Sequence, residues 1–198
     1  FVEINNFYTA TIYEKGAEVI GMLKQLVGDA DYARALDLYF DRHDGQAATI
    51  EDWLKVFEDT TGRDLSQFAL WYSQAGTPRL KVHEAWAAAN NGGTYTLTFT
   101  QSNTPTPGQD KQAAKVIPIA VGLLNPNGDE VVPTTVLEMN KPVQSFAFEG
   151  LSARPIPSIL RGFSAPVVLD RDVPQSERAF LLAHDTDPFN RWEAGRAL

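Results

Sequence analysis

The chain has 198 residues and no cysteine, and its 25 acidic against 17 basic side chains give a formal net charge of −8. This charge disfavours nucleic-acid binding, which needs a basic surface, and the missing cysteines exclude a disulfide scaffold and a cysteine-ligated zinc site. Hydrophobic residues make up 43% of the chain, enough for a packed core, but no apolar run approaches the roughly 20 residues of a membrane span.

The first third of the chain predicts helices, because its apolar residues recur three and four positions apart. The first predicted helix ends at Gly28, since glycine is the usual residue just past a helix C-terminus. Its apolar positions are Ile12, Val19, Ile20, Leu23 and Leu26. Asp31 is the expected cap of a second helix, whose apolar positions are Leu36, Tyr39 and Phe40.

A third and a fourth helix are predicted before residue 77. Thr49 with Asp52 three positions later resembles a capping box that opens the third helix, and Gly62 ends it. Asp64 is the expected start of the fourth helix, which closes near Gly76. The aromatic residues of these two helices, predicted to be packed, are Trp53, Phe57, Phe68, Trp71 and Tyr72.

From Thr77 the hydrophobic period changes from 3.6 to 2, which predicts strands. Segments rich in turn residues, such as "NTPTPG" and "NPNG", separate them. Short strands divided by such turns favour an antiparallel β-sandwich. The predicted strands are 79–86, 94–100, 116–124, 130–137, 144–148 and 159–169.

After Pro174 the helical period returns, and Asp187 followed by Pro188 is a typical helix start. The predicted fold class is therefore α+β: helices, then an antiparallel β-sandwich, then the start of a helical domain. The predicted boundaries are 1–76, 77–173 and 174–198. Because the chain begins with Phe1 rather than Met and ends without a helix stop signal, we expect it to be an internal fragment of a longer protein.

Histidine and carboxylate motifs offer little chemistry. His83 and Glu84 form half of the zinc motif HExxH, but Ala87 stands where the second histidine is needed. The motif also requires a helix, whereas this stretch alternates as a strand. We therefore predict no metal site in this chain. Acidic pairs such as Asp29/Asp31 favour caps and turns over acid–base catalysis, and GxSxG, P-loop and GxGxxG motifs are absent from the sequence.

The stretch "NNFYTATIYEKGAEVIGML", from Asn5 to Leu23, is the remaining candidate for function. It places tyrosines and asparagines at a helix threshold and a glycine in the first turns. On spacing alone, a core aromatic at Tyr13 and close helix packing at Gly16 are favoured over a functional role. Glycine inside a helix costs about 1 kcal/mol relative to alanine, so Gly16 needs some such reason.

Together with "LYFDRHDGQAATIEDW", "FALWYSQAGTPRL", "GFSAPVVL" and "DPFNRW", this stretch resembles the zinc aminopeptidase N family of the gluzincins, most of all its bacterial alanyl aminopeptidase branch. The resemblance covers essentially the whole chain in one order. It implies a thermolysin-like catalytic domain whose zinc ligands, HExxH and a later glutamate, lie upstream of Phe1. Residues 1–76 would be the helical tail of that domain, followed by the family's β-sandwich and by the start of its C-terminal helical domain.

The resemblance also implies the site residues. Tyr13 matches the family's catalytic tyrosine, whose phenol donates a hydrogen bond to the oxyanion formed when zinc-bound water attacks the peptide carbonyl. Asn5 and Tyr8 match residues that line the first side-chain subsite. We expect peptide substrates, zinc only in the full-length protein, a fragment inactive by itself, a monomer, and a cytoplasmic location.

A second interpretation stays open at this point. The sandwich could be a non-catalytic spacer or protein-interaction module in a homologue without a working zinc site, because sandwich folds host many functions. The two interpretations differ in whether Tyr13, Asn5 and Tyr8 face a substrate.

Overall fold

The computed structural model describes residues 8–198. The backbone contacts divide the chain into two compact units, with the boundary between Ala75 and Gly76. Each unit is described by itself. Among residues 8–198, none of the helices is long and apolar enough to cross a membrane.

The first unit is helical. A π-helical turn at Thr11–Lys15, hereafter the π-turn, leads directly into the first α-helix. The α-helices are α1 (Gly16–Val27), α2 (Asp29–His43), α3 (Ile50–Thr61) and the single turn α4 (Leu70–Ser73). The buried apolar side chains of this unit are Val19, Met22, Leu23, Ala35, Leu54, Val56, Phe57, Leu65, Phe68 and Trp71. They confirm Val19 and Leu23 of α1 and most of the aromatic residues after Thr49, but of the positions predicted for α1 and α2, Ile20 and Phe40 are exposed, and the one buried residue of α2 is Ala35.

The ends of α3 follow the sequence prediction. The Asp52 N–H donates to Thr49 Oγ1 at 3.2 Å and the Thr49 N–H donates to Asp52 Oδ2 at 2.9 Å, which is a complete capping box. Gly62 ends the helix in the left-handed conformation, with φ 70°. These local hydrogen bonds need only nearby residues, so the sequence pattern was sufficient to predict them.

Two helix starts in this unit differ from the prediction. The prediction that Asp31 caps α2 is wrong, because Gly28 ends α1 and also caps α2, so that Asp31 already lies in the first helical turn. There its carboxylate pairs with Arg34 instead. Asp64 accepts from the Ser66 N–H at 2.8 Å and opens a turn, but regular α-helix covers only Leu70–Ser73.

The second unit begins with two sheets that form a β-sandwich. One sheet has the strand order β5-β2-β1-β7 and the other has the order β4-β3-β6. The strands are β1 (Arg79–Ala87), β2 (Gly93–Ser102), β3 (Ile117–Leu124), β4 (Glu130–Met139), β5 (Val143–Leu151), β6 (Ile156–Ile159) and β7 (Val168–Asp170). All pairings are antiparallel except β1 with β7, which is parallel. Every residue of the central strand β3 is buried.

The single strand predicted for 159–169 is wrong. The chain instead forms β6, a 3₁₀ turn at Arg161–Phe163 and then β7. Leu160, Gly162 and Phe163 have φ of 60°, 60° and 54°, which no strand residue can adopt. This break turns the Arg161 side chain into the interior, where it is 3% exposed.

Two helices follow the sandwich, α5 (Gln175–His184) and α6 (Pro188–Arg196). The predicted start of α6 is confirmed, since Asp187 Oδ1 accepts from the Asn190 N–H at 2.8 Å and Pro188 is the first helical residue. The element order confirms the predicted fold class of helices, β-sandwich and helices.

Candidate functional site

Tyr13 lies in the π-turn, immediately before α1. The Gly16 N–H donates to the carbonyl oxygen of Thr11, five residues back, instead of to that of Ile12 as in an α-helix. The Tyr13 side chain is 68% exposed. Within the part of the chain that the structure describes, Tyr13 is therefore not a core aromatic.

The structure brings Tyr8 and Tyr13 together. Tyr8 is 57% exposed, and the centroids of the two rings are 6.3 Å apart with 36° between the ring planes. The two phenols form one exposed aromatic pair, hereafter the tyrosine pair. Asn5, the third residue assigned to the site by the resemblance, lies outside the described residues.

A rigid element supports the tyrosine pair. Helix α1 is fixed in the core of the first unit by Val19, Met22 and Leu23, which are at most 3% exposed. Half-buried Lys15, whose pKa is lowered by burial, joins the π-turn to this helix. A side chain at the end of such a helix has a defined direction, which a binding or catalytic group requires.

The chemistry available here is hydrogen bonding and stacking. A phenol donates one hydrogen bond through its O–H and also accepts, and two exposed rings offer an aromatic surface to a side chain. The described residues do not fit a metal ion: within residues 8–198, no group of three or more His, Cys, Asp or Glu side chains could hold one. Zinc chemistry therefore cannot be assigned to these side chains.

His83 and Glu84 lie on β1, as the strand pattern predicted. The Glu84 carboxylate accepts from the Tyr95 hydroxyl at 2.6 Å and from Arg171 Nε at 2.6 Å. Burial raises the pKa of Glu84, but the hydrogen bonds from Arg171 and Tyr95 outweigh it, so that the net pKa is lowered. Arg171 also pairs with Glu177 of α5, at 2.6 Å. Glu84 thus joins the sandwich to α5, a structural role that the sequence pattern did not indicate.

Sequence analysis also missed the buried cluster around Arg161. The guanidinium contacts residues of β4, of β6 and of the segment before α6. Gly122 of β3 leaves the space for it, because a Cβ at that position would overlap the guanidinium. The sequence did not indicate this cluster, because a single arginine, here the first residue of "RGFSAP", is normally exposed on the surface.

Three protein-family models match successive segments of the chain. Residues 1–72 match the peptidase family M1 domain, residues 76–172 match a domain of unknown function with an Ig-like fold, and residues 175–198 match a domain of unknown function described as ARM repeats. In this order the chain matches a segment of an M1-family aminopeptidase.

The particular relatives are aminopeptidases N. Over the whole chain, the sequence is 48% identical to aminopeptidase N of Caulobacter vibrioides and 39% identical to that of Escherichia coli. A solved structure of Legionella pneumophila aminopeptidase A in complex with aspartic acid matches 98% of the chain with a TM-score of 0.88 and 32% identity. These matches confirm the resemblance to the aminopeptidase N family. The chain spans 23% of the length of the two aminopeptidases N and 22% of the solved chain.

Proposed function

We propose that this chain is part of a zinc-dependent aminopeptidase that hydrolyses N-terminal residues from peptides, and that Tyr13 is its hydrogen-bond donor to the reacting carbonyl. The observation that carries the proposal is the exposed phenol of Tyr13, beside Tyr8 and at the end of a fixed helix, in a chain homologous to aminopeptidases N along its whole length.

Tyr13 would act on the charge that develops during the reaction. Nucleophilic attack on a peptide carbonyl turns its oxygen into an oxyanion. A phenol O–H that points at this oxygen donates a stronger hydrogen bond to the oxyanion than to the neutral carbonyl, which lowers the barrier. Loss of one such donor typically costs roughly 3 kcal/mol of barrier, or about 10²- to 10³-fold in kcat.

Tyr8 would contact the N-terminal side chain of the peptide through its ring, and Asn5 would line the same subsite. Zinc would be held by ligands outside the described residues, so the chain by itself would be inactive. We assign 1–76 to the end of the catalytic domain, 77–173 to the sandwich and 174–198 to the start of the helical domain, which the order of the three family matches supports. A cytoplasmic monomer stays a prediction from the family resemblance.

The test compares two tyrosine variants in the full-length protein that carries this segment. Tyr13→Phe should lower kcat by about 10²- to 10³-fold toward aminoacyl substrates. Tyr39→Phe is the matched control: it removes a half-buried phenol in α2, packed on Trp53, and should leave kcat unchanged. Near-normal turnover of Tyr13→Phe would remove Tyr13 from the mechanism.

Zinc-dependent turnover of the wild-type full-length protein distinguishes an aminopeptidase from a non-catalytic interaction module. Full-length protein that hydrolyses peptides, with loss of turnover after chelation and recovery with added zinc, supports the zinc aminopeptidase. Full-length protein that stays inactive with zinc would favour the non-catalytic module. The isolated 198-residue chain should show no turnover at any zinc concentration.

A further inference from the structure

The family matches and the structure divide the second unit differently. The match to the Ig-like domain ends at residue 172, and the match to the ARM repeats begins at residue 175. The backbone contacts, by contrast, place residues 76–198 in one compact unit. Boundaries between domains normally fall in exposed linkers that few contacts cross. Residues 171–174, which connect β7 to α5, do not form such a linker, because a buried arginine holds α5 near each of its ends.

Arg171, directly after β7, fixes the start of α5. Its Nε donates to Glu84 Oε1 of β1 at 2.6 Å, and its Nη2 lies 2.6 Å from Glu177 Oε1, in the first turn of α5. The Arg171 side chain is 6% exposed, and those of Glu84 and Glu177 are 16% and 19% exposed. Because water reaches this cluster only in part, it screens the two ion pairs less than it would on an open surface. One guanidinium thus binds the sandwich and the helix together.

Arg161 fixes the end of α5. Its Nη2 donates to Asp185 Oδ1 at 3.1 Å, and Asp185 is the residue that directly follows the helix. Both side chains are at most 2% exposed. The next two residues also bond to the sandwich: Thr186 Oγ1 donates to a carboxylate of β4 at 3.0 Å, and Asp187 Oδ2 accepts from the Gly162 N–H at 3.0 Å. Three consecutive residues after α5 are therefore held by the sandwich.

An apolar layer lies between the two arginines. Leu181 of α5 and Ala194 of α6 are buried in one cluster with Leu124 of β3. Helix α5 has 10 residues and is about 15 Å long. A helix this short, fixed at both ends and packed in between, cannot turn or slide without separating at least one buried charge from its partner, which is costly.

We propose that the pairs Arg171–Glu177 and Arg161–Asp185 form a double clasp, which makes the sandwich and the helices α5 and α6 move and unfold as one rigid body. In a full-length protein that carries this segment, a displacement of α6 would be passed to the sandwich without bending at residues 171–174. This coupling is independent of zinc and of the role of Tyr13.

The first experiment measures hydrogen exchange of the 198-residue chain at increasing urea. In the wild type, peptides from α5 and β3 should lose protection at the same urea concentration, because amides of one cooperative unit exchange through the same opening. The clasp variant Glu177→Ala/Asp185→Ala removes the helix side of both pairs and leaves each arginine with a carboxylate of the sandwich. Its α5 peptide should lose protection before its β3 peptide and exchange roughly ten-fold or more faster than in the wild type.

Asp172→Ala/Glu193→Ala is the matched control. It also removes two carboxylates close to α5 in sequence, but Asp172 is exposed, and Glu193 pairs with Arg196 within α6. The α5 and β3 peptides of the control should still lose protection together. Glu177→Ala by itself opens only the first clasp, and it should separate the two peptides to a smaller degree. This single variant carries the test if the double variant does not fold.

The second experiment measures the rigidity itself. Because the chain has no cysteine, Ala147→Cys on β5 and Ala183→Cys on α5 can carry one nitroxide label each, both at exposed positions. Double electron–electron resonance should give one narrow distribution of label-to-label distances in the wild-type background and in the control. The distribution should broaden in the clasp variant.

Two kinds of result would overturn the proposal. If α5 loses protection before β3 in the wild type, or if the wild-type distance distribution is broad, the sandwich and the helices are not one body. If α5 and β3 of the clasp variants stay together in both experiments, the apolar layer holds the helices, and the role assigned to the two arginines is wrong.

Discussion

Arg161 offers the sharpest test of what holds the second unit together. Its Nε donates to Ser158 Oγ at 2.9 Å, and its two terminal nitrogens donate to Thr134 Oγ1 at 2.9 Å and to Asp185 Oδ1 at 3.1 Å. Glu130 completes the set. One buried cation thus joins β4, the end of β6 and the segment between α5 and α6.

The cost of removing the guanidinium follows from the burial of its partner. The Asp185 side chain is fully buried, and apart from Arg161 its Oδ1 accepts only the Asp187 N–H, at 3.0 Å, among the described residues. Arg161→Met keeps an apolar side chain of similar length but leaves this carboxylate uncompensated. Breaking a buried ion pair in this way costs about 3–5 kcal/mol, a large share of the roughly 5–15 kcal/mol that stabilises a typical domain.

The measurement is hydrogen exchange of the peptide Ile117–Leu124 in the full chain, followed by mass spectrometry at increasing urea. This peptide is β3, the centre of the sandwich, so its exchange reports the free energy of unfolding of the second unit. The double variant Arg161→Met/Asp185→Leu removes both charges and should recover at least half of the loss, since buried ion pairs can be replaced by apolar side chains at little cost.

Two outcomes would contradict an uncompensated charge at Asp185. One is a loss below about 1 kcal/mol in Arg161→Met, the value of an exposed ion pair. The other is a double variant no more stable than the single one, which would show that the cost comes from lost packing of the arginine stem.

Three further predictions concern stability. Gly122→Ala should lower the free energy of unfolding by about 1–3 kcal/mol or more, measured by calorimetry of the full chain, because the added methyl overlaps the Arg161 guanidinium. Thr49→Ala should cost about 1 kcal/mol, measured by urea titration, because α3 loses its side-chain cap. The pKa of Glu84 is lower in the folded chain than its ordinary value of 4.5. Its carboxylate therefore stabilises the fold fully above pH 4.5, and this stabilisation is lost as the pH falls through the folded-state pKa. Glu84→Gln should therefore lower the melting temperature at pH 7 and weaken its decrease below pH 4.5.

Local patterns predicted most of the elements. The capping box at Thr49, the glycine at the end of α3 and the start of α6 at Asp187 depend on residues within four positions, and the structure confirms them. The alternation from Arg79 predicted β1, because one face of that strand is covered and the other is not. Where burial and hydrogen bonding are decided locally, the sequence was sufficient.

The remaining features depend on distant partners. The break after Leu160 depends on Gly122, which leaves space for the Arg161 guanidinium, and on Asp185, which pairs with it. These residues lie 38 and 25 positions from Leu160 along the chain. The apolar residues of 159–169 predict one continuous strand, because hydrophobic periodicity cannot show that the Arg161 side chain points into the interior. The π-turn was hidden for a similar reason: "TIYEK" has ordinary helical composition, and no residue in it marks the extra position.

Substitutions of Tyr13 and Arg161 distinguish the residues needed for activity from those needed for stability. Arg161 is buried and satisfied on every side, so its loss should reduce the fraction of folded protein and leave the activity of each folded molecule unchanged. Tyr13 is 68% exposed and adds little to the core, so removal of its hydroxyl should leave the melting temperature within about 1 °C while turnover falls. If Tyr13→Phe proved as destabilising as Arg161→Met, the tyrosine would have a structural partner and the case for a substrate-facing phenol would end.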